Sequence, residues 1–260
     1  MNILKEIAAY AIKRVQQAER KMSLEAVKEQ ALTLPGKEFV FEYALRKPEL
    51  SFICECKKAS PSKGIIAEDF PYLKIAKEYE QAGADCISVL TEPKYFLGND
   101  SYLQEIAQAV FVPCLRKDFV VAPYMIYEAR VLGAAAVLLI CSLLTEKELA
   151  EYLAICESLG MSALIEVHNA AEISMAIHAG ARIIGVNNRN LNDFSVDMAN
   201  SSRLRELVPP EILFVAESGI KTAADVQTMR EIGADAVLIG ELLMRAENSS
   251  AMLAELRRGR

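Results

Sequence analysis

The chain has 260 residues, of which 25% are charged and 52% are hydrophobic, and its formal net charge is -6 at pH 7. This length fits a single α/β barrel and does not require two domains. An acidic chain without a block of Lys and Arg residues is not expected to bind nucleic acid. The longest uncharged stretch, residues 131–144, is shorter than the roughly 20 apolar residues that span a bilayer, so we expect no membrane insertion.

The amino terminus predicts a protein that is not exported. Glu6, Lys13 and Arg14 interrupt the apolar segment that a secretory signal would need, so we expect a cytoplasmic location by default. The six cysteines lie mostly in apolar runs and form no Cys-x-x-Cys pair. We therefore expect reduced thiols packed in the core and no metal site built on cysteine.

The first fifty residues lack the repeats that govern the rest of the chain. A first helix is amphipathic, and its apolar face comprises Ile3, Leu4, Ile7, Ala11 and Val15. A second helix is capped by Ser23, and Pro35-Gly36 and Lys47-Pro48 are breaks. We predict a helical extension over residues 1–50 packed on a barrel over residues 51–260, in one domain overall. The pattern is compatible both with closing the bottom of the barrel and with shaping its mouth.

Two interleaved repeats predict eight strands after residue 50. Four apolar runs follow a glycine in the position just past a helix, and four others end in a charged side chain. The predicted strands lie near residues 52–57, 86–90, 112–117, 136–140, 163–167, 182–187, 212–217 and 236–239. Their spacing of about 25 residues leaves room for one helix in each gap, as in a closed (β/α)8 TIM barrel. A doubly wound open sheet is disfavoured because the chain has no Gly-x-Gly-x-x-Gly sequence.

Three sequences between these strands predict helix starts. Thr145-Glu-Lys-Glu148 and Thr222-Ala-Ala-Asp225 have the spacing of capping boxes. Asn169 supplies an N-cap with an acid three residues later. These starts agree with a helix in each of the corresponding gaps.

Charged side chains end the first, third, fifth and seventh predicted strands. These residues are Glu55 and Lys57, Lys117, Glu166 and Glu217. A buried strand that ends in an ionised group is costly unless that end opens into a site. In a barrel the carboxyl ends of the strands share one face, so we expect these side chains to converge on one pocket. The period of two further predicts that Glu55 and Lys57 point inward while Cys54 and Cys56 face the helices.

Three turns predict an anion site beside this pocket. The loop Ser60-Pro-Ser-Lys-Gly64 follows the first strand, and Gly219 and Gly240 follow the seventh and eighth. The first loop taken alone is equally compatible with a plain turn. Because the first and eighth strands are neighbours in a closed barrel, all three turns can reach one phosphate group.

The sixth strand ends in Asn187-Asn-Arg189-Asn, which is compatible with two interpretations. One is an Asn-rich turn with a solvated arginine, and the other is a clamp on hydroxyls or a carboxylate. Neither histidine of the chain, His168 or His178, belongs to a nucleophile signature with serine or cysteine. Lysine and glutamate must therefore carry any proton transfers. We expect His178 to be an ordinary surface or packing residue and His168 to be a candidate neighbour of the pocket.

At these positions the sequence resembles the indole-3-glycerol phosphate synthases of tryptophan biosynthesis. The resemblance rests on five motifs: Ile53-Cys-Glu-Cys-Lys-Lys-Ala-Ser-Pro-Ser-Lys-Gly64, Leu115-Arg-Lys-Asp-Phe119, Leu164-Ile-Glu-Val-His168, Asn187-Asn-Arg189 and Val215-Ala-Glu-Ser-Gly219. It covers nearly the whole chain, including the amino-terminal extension, and the first motif is highly specific. It implies a carboxy-lyase that needs no cofactor and no metal. Such an enzyme closes the indole ring of 1-(2-carboxyphenylamino)-1-deoxyribulose 5-phosphate and releases carbon dioxide and water.

The resemblance also implies a role for each site residue. Lys117 is implied as the general acid at the substrate's ketone and leaving hydroxyl, and Glu166 as the base for the final dehydration. Lys57 would pair with the anthranilate carboxylate or assist proton transfer. The orienting residues would be Glu55, Asn187, Arg189 and Glu217; the phosphate-binding positions Ser60, Ser218, Gly219 and Gly240; and the walls of the aromatic pocket Phe96 and Phe119.

Two electrostatic expectations concern Glu241 and Lys117. Some members of the family have serine where this chain has Glu241, and a carboxylate would repel a phosphate. We therefore expect the Glu241 side chain to turn away and only its backbone N–H to serve the phosphate. Burial in an apolar barrel can lower the pKa of Lys117 toward neutrality, while adjacent glutamates keep it charged.

Two alternatives remain open from the sequence. One is another cofactor-free sugar-phosphate barrel, such as a phosphoribosylanthranilate isomerase, which would share the phosphate loops. The other is a catalytically silent barrel that serves as an assembly partner. The paired Glu55 and Lys57, the position of Lys117 and the amino-terminal extension favour the synthase. Its partner is expected to be a phosphorylated small molecule, and both a monomer and docking with other enzymes of the pathway are compatible with the sequence.

Overall fold

A computed structural model of the chain describes residues 3–36, 38–190 and 193–258. Within these ranges, eight parallel strands close into a barrel in which each strand pairs with its neighbours in sequence and the last pairs with the first. The strands are β1 (Ser51–Cys56), β2 (Cys86–Leu90), β3 (Cys114–Lys117), β4 (Ala136–Ile140), β5 (Ser162–Val167), β6 (Ile183–Asn187), β7 (Leu213–Glu217) and β8 (Ala236–Ile239). The predicted (β/α)8 barrel is confirmed, and each strand lies within two residues of its predicted bounds.

One helix fills each gap between consecutive strands, as predicted. The helices are α1 (Ile3–Glu19), α2 (Leu24–Thr33), α3 (Val40–Leu45), α4 (Tyr72–Gln81), α5 (Asp100–Ala109), α6 (Pro123–Val131), α7 (Glu146–Ser158), α8 (Ala170–His178), α9 (Ala199–Arg205), α10 (Ala223–Glu231), α11 (Glu241–Arg245) and α12 (Ser249–Arg258). Both predicted capping boxes are present, at Thr145 and Thr222, and Ser23 and Asn169 cap α2 and α8. None of the helices in the described ranges combines the length and apolar character needed to cross a bilayer.

Side chains of the barrel strands alternate between two apolar layers. Cys54 and Cys56 pack outward in the layer between strands and helices, whereas Ile53 belongs to the cluster inside the barrel. This alternation follows from the period of two of a strand and confirms the predicted inward direction of Glu55. All six cysteines are buried and free, as expected for core thiols.

The amino-terminal helices lie at both ends of the barrel. At the mouth, Ile7 of α1 lines the central cavity, and Arg14 donates two hydrogen bonds to Asp118, at 3.1 and 2.6 Å. At the opposite end, the backbone N–H of Glu42 in α3 donates to the Ser162 hydroxyl, 3.2 Å away, where β5 begins. The sequence left these two placements as alternatives, and the structure has both. The division of the chain at residue 50 stays a prediction.

Candidate active site

A cavity of about 540 Å³ opens at the carboxyl ends of the strands. Its lining includes every predicted site residue, namely Glu55, Lys57, Ser60, Phe96, Lys117, Phe119, Glu166, Asn187, Arg189, Glu217, Ser218, Gly219, Gly240 and Glu241. These residues come from the carboxyl ends of seven strands and the loops that follow them. The charged strand ends therefore converge on one cavity, as predicted, because parallel strands in a barrel present their carboxyl ends on one face.

Lys117 ends β3 and lies among three buried carboxylates. Its Nζ is 3.6 Å from Glu217 Oε2 and 3.9 Å from the nearest oxygens of both Glu55 and Glu166. Only 16% of the lysine side chain is exposed. A single ammonium is thus placed where it can interact with carboxylates from three different strands.

The electrostatics of Lys117 correct one expectation. Burial alone would lower the pKa of its ammonium, but the charges of Glu217, Glu55 and Glu166 outweigh burial and raise that pKa above its ordinary value. A pKa near neutrality is therefore wrong for this state of the protein. The expectation that adjacent glutamates keep the lysine charged is confirmed.

The surroundings of Glu217 favour the protonated form of its carboxyl group. Burial, with repulsion from Glu166 and Glu55, raises its pKa to about 8 despite the attraction of Lys117. Its Oε1 is buried and has no hydrogen-bond partner among the described residues. One oxygen of this carboxyl group is thus buried without a hydrogen-bond donor among the described residues.

The strand residue Gly185 makes room for Glu217, and the sequence analysis missed it. A Cβ atom built at Gly185 would collide with Glu217 Oε1 and would lie 3.1 Å from Leu164 Cδ1. A glycine inside a strand often marks a close approach of this kind. That signal was present in the run that precedes Asn187, although the partner could not be read from it.

Glu55 and Lys57 form the tightest ion pair of the cavity. Lys57 Nζ donates to Glu55 Oε1 at 2.5 Å. Burial raises the pKa of Glu55, but Lys57 and Lys117 outweigh it and hold that pKa below its ordinary value. Gly240 of the neighbouring strand end is required here, because a Cβ atom would collide with Glu55 Oε1.

Two histidine predictions have clear outcomes. His168 Nε2 lies 3.4 Å from Glu166 Oε1, and its Nδ1 lies 3.2 Å from Glu172 Oε2. Burial would lower the pKa of His168, but the hydrogen bond to Glu172 and the charge of Glu166 raise it overall. His168 is therefore a neighbour of a pocket residue, whereas His178 is exposed at the end of α8.

The Asn187 and Arg189 region favours the clamp over a solvated turn. Asn187 Oδ1 accepts a hydrogen bond from the Arg189 backbone N–H at 3.0 Å, and Arg189 Nη1 donates to the Phe194 carbonyl at 3.3 Å. The arginine side chain is only 22% exposed and lines the cavity. Its guanidinium is thus held in place at the cavity wall.

The residues predicted to form the apolar wall and those predicted to bind an anion both line the cavity. The rings of Phe96 and Phe119 have their centroids 5.8 Å apart and form an apolar wall. Past the end of β7, Ser218 and Gly219 both have left-handed backbone conformations, with φ of 64° and 93°. Together with Ser60 they bring hydroxyl and backbone groups to the cavity.

The Glu241 carboxylate lies among three cationic side chains. It lies 3.6 Å from Lys63 Nζ, 3.9 Å from Arg189 Nη2 and 3.4 Å from Arg245 Nε. All four residues line the cavity. Cations from two other loops attract the carboxylate, and the expectation that the side chain turns away from a phosphate stays a prediction. Lys63 and Arg245 were not predicted as site residues, since lysine in a loop and arginine on a short helix are ordinarily solvent-exposed.

A buried polar network lies behind Lys117. The side chain of Arg116 is 1% exposed and contacts Asp100 and Glu128, both at 2.8 Å. Asp118 accepts the two hydrogen bonds from Arg14, and the charges of Arg14 and Arg116 outweigh burial and lower its pKa. Both sequence neighbours of Lys117 are therefore fixed, which restricts the direction of the lysine.

This combination defines the class of the protein: a (β/α)8 barrel with lysine and glutamate side chains at the carboxyl ends of the strands, where enzymes of this fold have their active sites. Solved barrels agree on the fold alone. The 3-hexulose-6-phosphate synthase of Salmonella typhimurium has a TM-score of 0.67 at 11% identity and covers 81% of this chain and 98% of its own. The thiamine phosphate pyrophosphorylase of Pyrococcus furiosus has a TM-score of 0.62 at 16% identity and covers 84% of this chain and 96% of its own.

Sequence comparisons identify the family. The model of the indole-3-glycerol phosphate synthase family matches residues 4–256. The indole-3-glycerol phosphate synthase of Ruminiclostridium cellulolyticum is 56% identical over 98% of both chains. That of Lacticaseibacillus casei is 51% identical over 97% of both chains. The chain therefore belongs to the indole-3-glycerol phosphate synthase family.

Proposed function

We propose that the chain converts 1-(2-carboxyphenylamino)-1-deoxy-D-ribulose 5-phosphate to indole-3-glycerol phosphate, acting as a carboxy-lyase. The observation that carries this proposal is the position of Lys117, whose Nζ lies within 3.9 Å of three carboxylates in a cavity that basic and apolar side chains also line. Family membership supports the overall reaction. For a member of a biosynthetic enzyme family, we propose a cytoplasmic location.

Lys117 acts as the general acid of the first step. The aromatic carbon that bears the carboxylate attacks the ketone carbon, a carbon–carbon bond forms, and the ketone oxygen takes a proton from the ammonium. The elevated pKa of Lys117 ensures that the proton is present at neutral pH. Loss of carbon dioxide then restores a neutral ring.

Glu166 acts as the base of the dehydration. After Lys117 has regained a proton from solvent, it protonates the hydroxyl, which leaves as water, and Glu166 removes a proton from the ring system to complete the indole. The carboxylate lies on β5, two strands away from Lys117 on β3, which allows acid and base to act at different atoms of one substrate. His168, in contact with Glu166, supports its orientation.

The remaining residues bind and orient the substrate. Lys57, held by Glu55, pairs with the anthranilate carboxylate, and Phe96 and Phe119 enclose the aromatic ring. Arg189 and Asn187 contact the polar chain of the substrate. Its phosphate lies against Ser60, Ser218, Gly219, Gly240 and the backbone of Glu241, in agreement with their shared position at the cavity.

A fluorescence assay tests the proposal. Purified protein is mixed with the carboxyphenylamino substrate, without added metal or cofactor and with a chelator present. We expect indole fluorescence to appear, and no reaction with phosphoribosylanthranilate. Isomerisation of phosphoribosylanthranilate would favour the alternative barrel enzyme, and no reaction with either compound would favour the non-catalytic alternative.

A further inference from the structure

The Glu241 carboxylate lines the same cavity as the residues to which the proposed function assigns the phosphate group. It begins α11 directly after Gly240, and its oxygens form ion pairs with Lys63, Arg189 and Arg245. A carboxylate in this place repels a second anion through Coulomb forces. A chain that binds a phosphorylated compound thus carries its own anion among the cations of the site.

These ion pairs are loose. Their N–O distances are 3.4 to 3.9 Å, longer than the roughly 2.7–2.9 Å of a charge-assisted hydrogen bond. By contrast, the Lys57–Glu55 pair in the same cavity measures 2.5 Å. The side chains of Lys63 and Glu241 are 45% and 31% exposed, so solvent and incoming anions reach both. Contacts of this kind can be exchanged at low energetic cost.

We propose that Glu241 is an intramolecular substitute for the substrate phosphate. This inference rests on the proposed function and deepens it. In the free protein the carboxylate keeps Lys63 and Arg189 at the cavity wall. When the phosphate of the substrate arrives, its greater charge and larger number of oxygen acceptors displace the carboxylate.

Such a substitute lowers the affinity of the site for every phosphorylated ligand. Inorganic phosphate must displace the carboxylate with its own contacts alone. The complete substrate, in contrast, gains further binding from its aromatic ring and its carboxylate, for which the cavity has Phe96, Phe119 and Lys57. Glu241 therefore weakens the binding of both ligands by the same factor, and the complete substrate, which makes more contacts, still binds where free phosphate binds only weakly.

Calorimetric titration with inorganic phosphate tests this proposal on the full chain. We expect Glu241→Gln to bind inorganic phosphate about fivefold more tightly than the unmodified protein, which is the effect of removing one partly exposed competing charge. The matched control is Glu247→Gln, which removes the same charge at an exposed position outside the cavity lining and should leave phosphate affinity unchanged. Unchanged or weaker phosphate binding by Glu241→Gln would overturn the proposal.

A double-mutant cycle with Lys63→Met separates a specific competition between Glu241 and the phosphate for Lys63 from the general effect of removing a negative surface charge. In the unmodified protein Lys63 must give up its ion pair with Glu241 before it can bind the phosphate. Lys63→Met should therefore reduce phosphate affinity by only part of the Lys63–phosphate attraction. In the Glu241→Gln background, Lys63→Met should weaken phosphate binding by a larger factor. Equal factors in both backgrounds would show that Glu241 and Lys63 do not compete with the ligand as a pair.

Calorimetry also separates this inference from the proposed function, because phosphate binding needs no turnover. In one case, Glu241→Gln binds phosphate more tightly but the unmodified protein does not convert the substrate. This result would support the role of Glu241 as a substitute for phosphate and overturn the proposed reaction. In the other case, the unmodified protein converts the substrate but Glu241→Gln does not bind phosphate more tightly. This result would support the proposed reaction and overturn the role of Glu241.

Discussion

Lys117 Nζ and Glu217 Oε2 lie 3.6 Å apart at the centre of the cavity, although they end strands on opposite sides of the barrel. The pKa of the ammonium is raised, and the pKa of the carboxyl is raised to about 8. With Glu217 protonated, the two ammoniums of Lys57 and Lys117 face the two carboxylates of Glu55 and Glu166. A third carboxylate would leave an excess of buried negative charge, which explains why the proton stays on Glu217.

The stability of the protein should depend on pH through Glu217. Its pKa is about 8 in the folded protein against 4.5 for an ordinary glutamate, so the folded state holds a proton that the unfolded state has lost between these values. The free energy of unfolding therefore falls as pH rises from 4.5 to about 8. Glu217→Gln removes this titration, and its stability relative to the unmodified protein should rise over that interval and level off above it.

Urea unfolding at half-unit intervals from pH 5 to about pH 9 measures the Glu217 effect. The matched control is Glu151→Gln, which changes an exposed carboxylate on α7 and should show a difference in stability that does not depend on pH. A difference between Glu217→Gln and the unmodified protein that stays constant across the range would contradict the assignment of the raised pKa to Glu217.

Replacing Lys117 by methionine should abolish turnover while the barrel still folds. A positioned general acid contributes roughly a hundredfold to ten-thousandfold to a rate, and no second ammonium lies in the same place among the three carboxylates described. The carboxyl groups that lose their counterion can take up protons, which limits the damage to stability. Indole fluorescence measures turnover, and circular dichroism with thermal unfolding measures the fold.

The control for this substitution is Lys147→Met, which removes an exposed lysine from α7. It should retain full turnover. Normal turnover in Lys117→Met would eliminate the assignment of the acid, and loss of the fold in that variant would require the companion variant Lys117→Met with Glu217→Gln, which removes one of the three carboxyl groups around the lost ammonium.

The barrel was predictable from the sequence because local patterns determine it. A glycine just past a helix followed by a β-branched run predicts a strand buried on both faces, and the period of two placed Cys54 outside and Glu55 inside. The convergence of Lys117 with Glu166 followed from topology alone, since parallel strands of a barrel share one carboxyl face. These inferences needed no knowledge of side-chain conformation.

Properties that depend on contacts between distant loops were not predictable. The direction of Glu241 is set by Lys63 and Arg189, which come from two other loops, whereas the local sequence shows only an acid at a helix start. The raised pKa of Lys117 results from competition between burial and three carboxylates, and the sequence contains none of the distances that decide it. The role of Gly185 likewise appears only when the position of Glu217 is known.

Glu166→Gln should slow the dehydration more than the ring closure. The amide keeps the shape of the side chain but cannot accept the final proton, so the intermediate that has already lost carbon dioxide should accumulate. Mass spectrometry of a quenched reaction measures this species directly. Glu151→Gln serves again as the control and should give product only; an uninhibited Glu166→Gln enzyme without the intermediate would show that another group is the base.

Arg189→Gln should weaken substrate binding more than it slows chemistry. The guanidinium is fixed at the cavity wall by the Phe194 carbonyl, and its planar fork can pair with a polar substrate group in a way that glutamine cannot reproduce. We expect KM to rise about tenfold, the effect of losing one hydrogen bond to a charged group. Initial-rate kinetics separate KM from kcat, with the exposed Arg20→Gln as control; an unchanged KM would count against the binding role.

Gly185→Ala should disrupt the site from a position that touches no substrate. The new methyl group would meet Glu217 Oε1 and Leu164 Cδ1, so the carboxyl group must move toward Lys117 or the strand must shift. Overpacking of this kind costs about 1–3 kcal/mol, and the displaced carboxyl group should also lower kcat. The matched control is Gly36→Ala, where a Cβ atom would meet nothing within 4 Å. Thermal unfolding and steady-state kinetics should show both losses for Gly185→Ala and neither for the control; equal behaviour of the two variants would mean that β6 accommodates the methyl group and that Gly185 does not determine the position of Glu217.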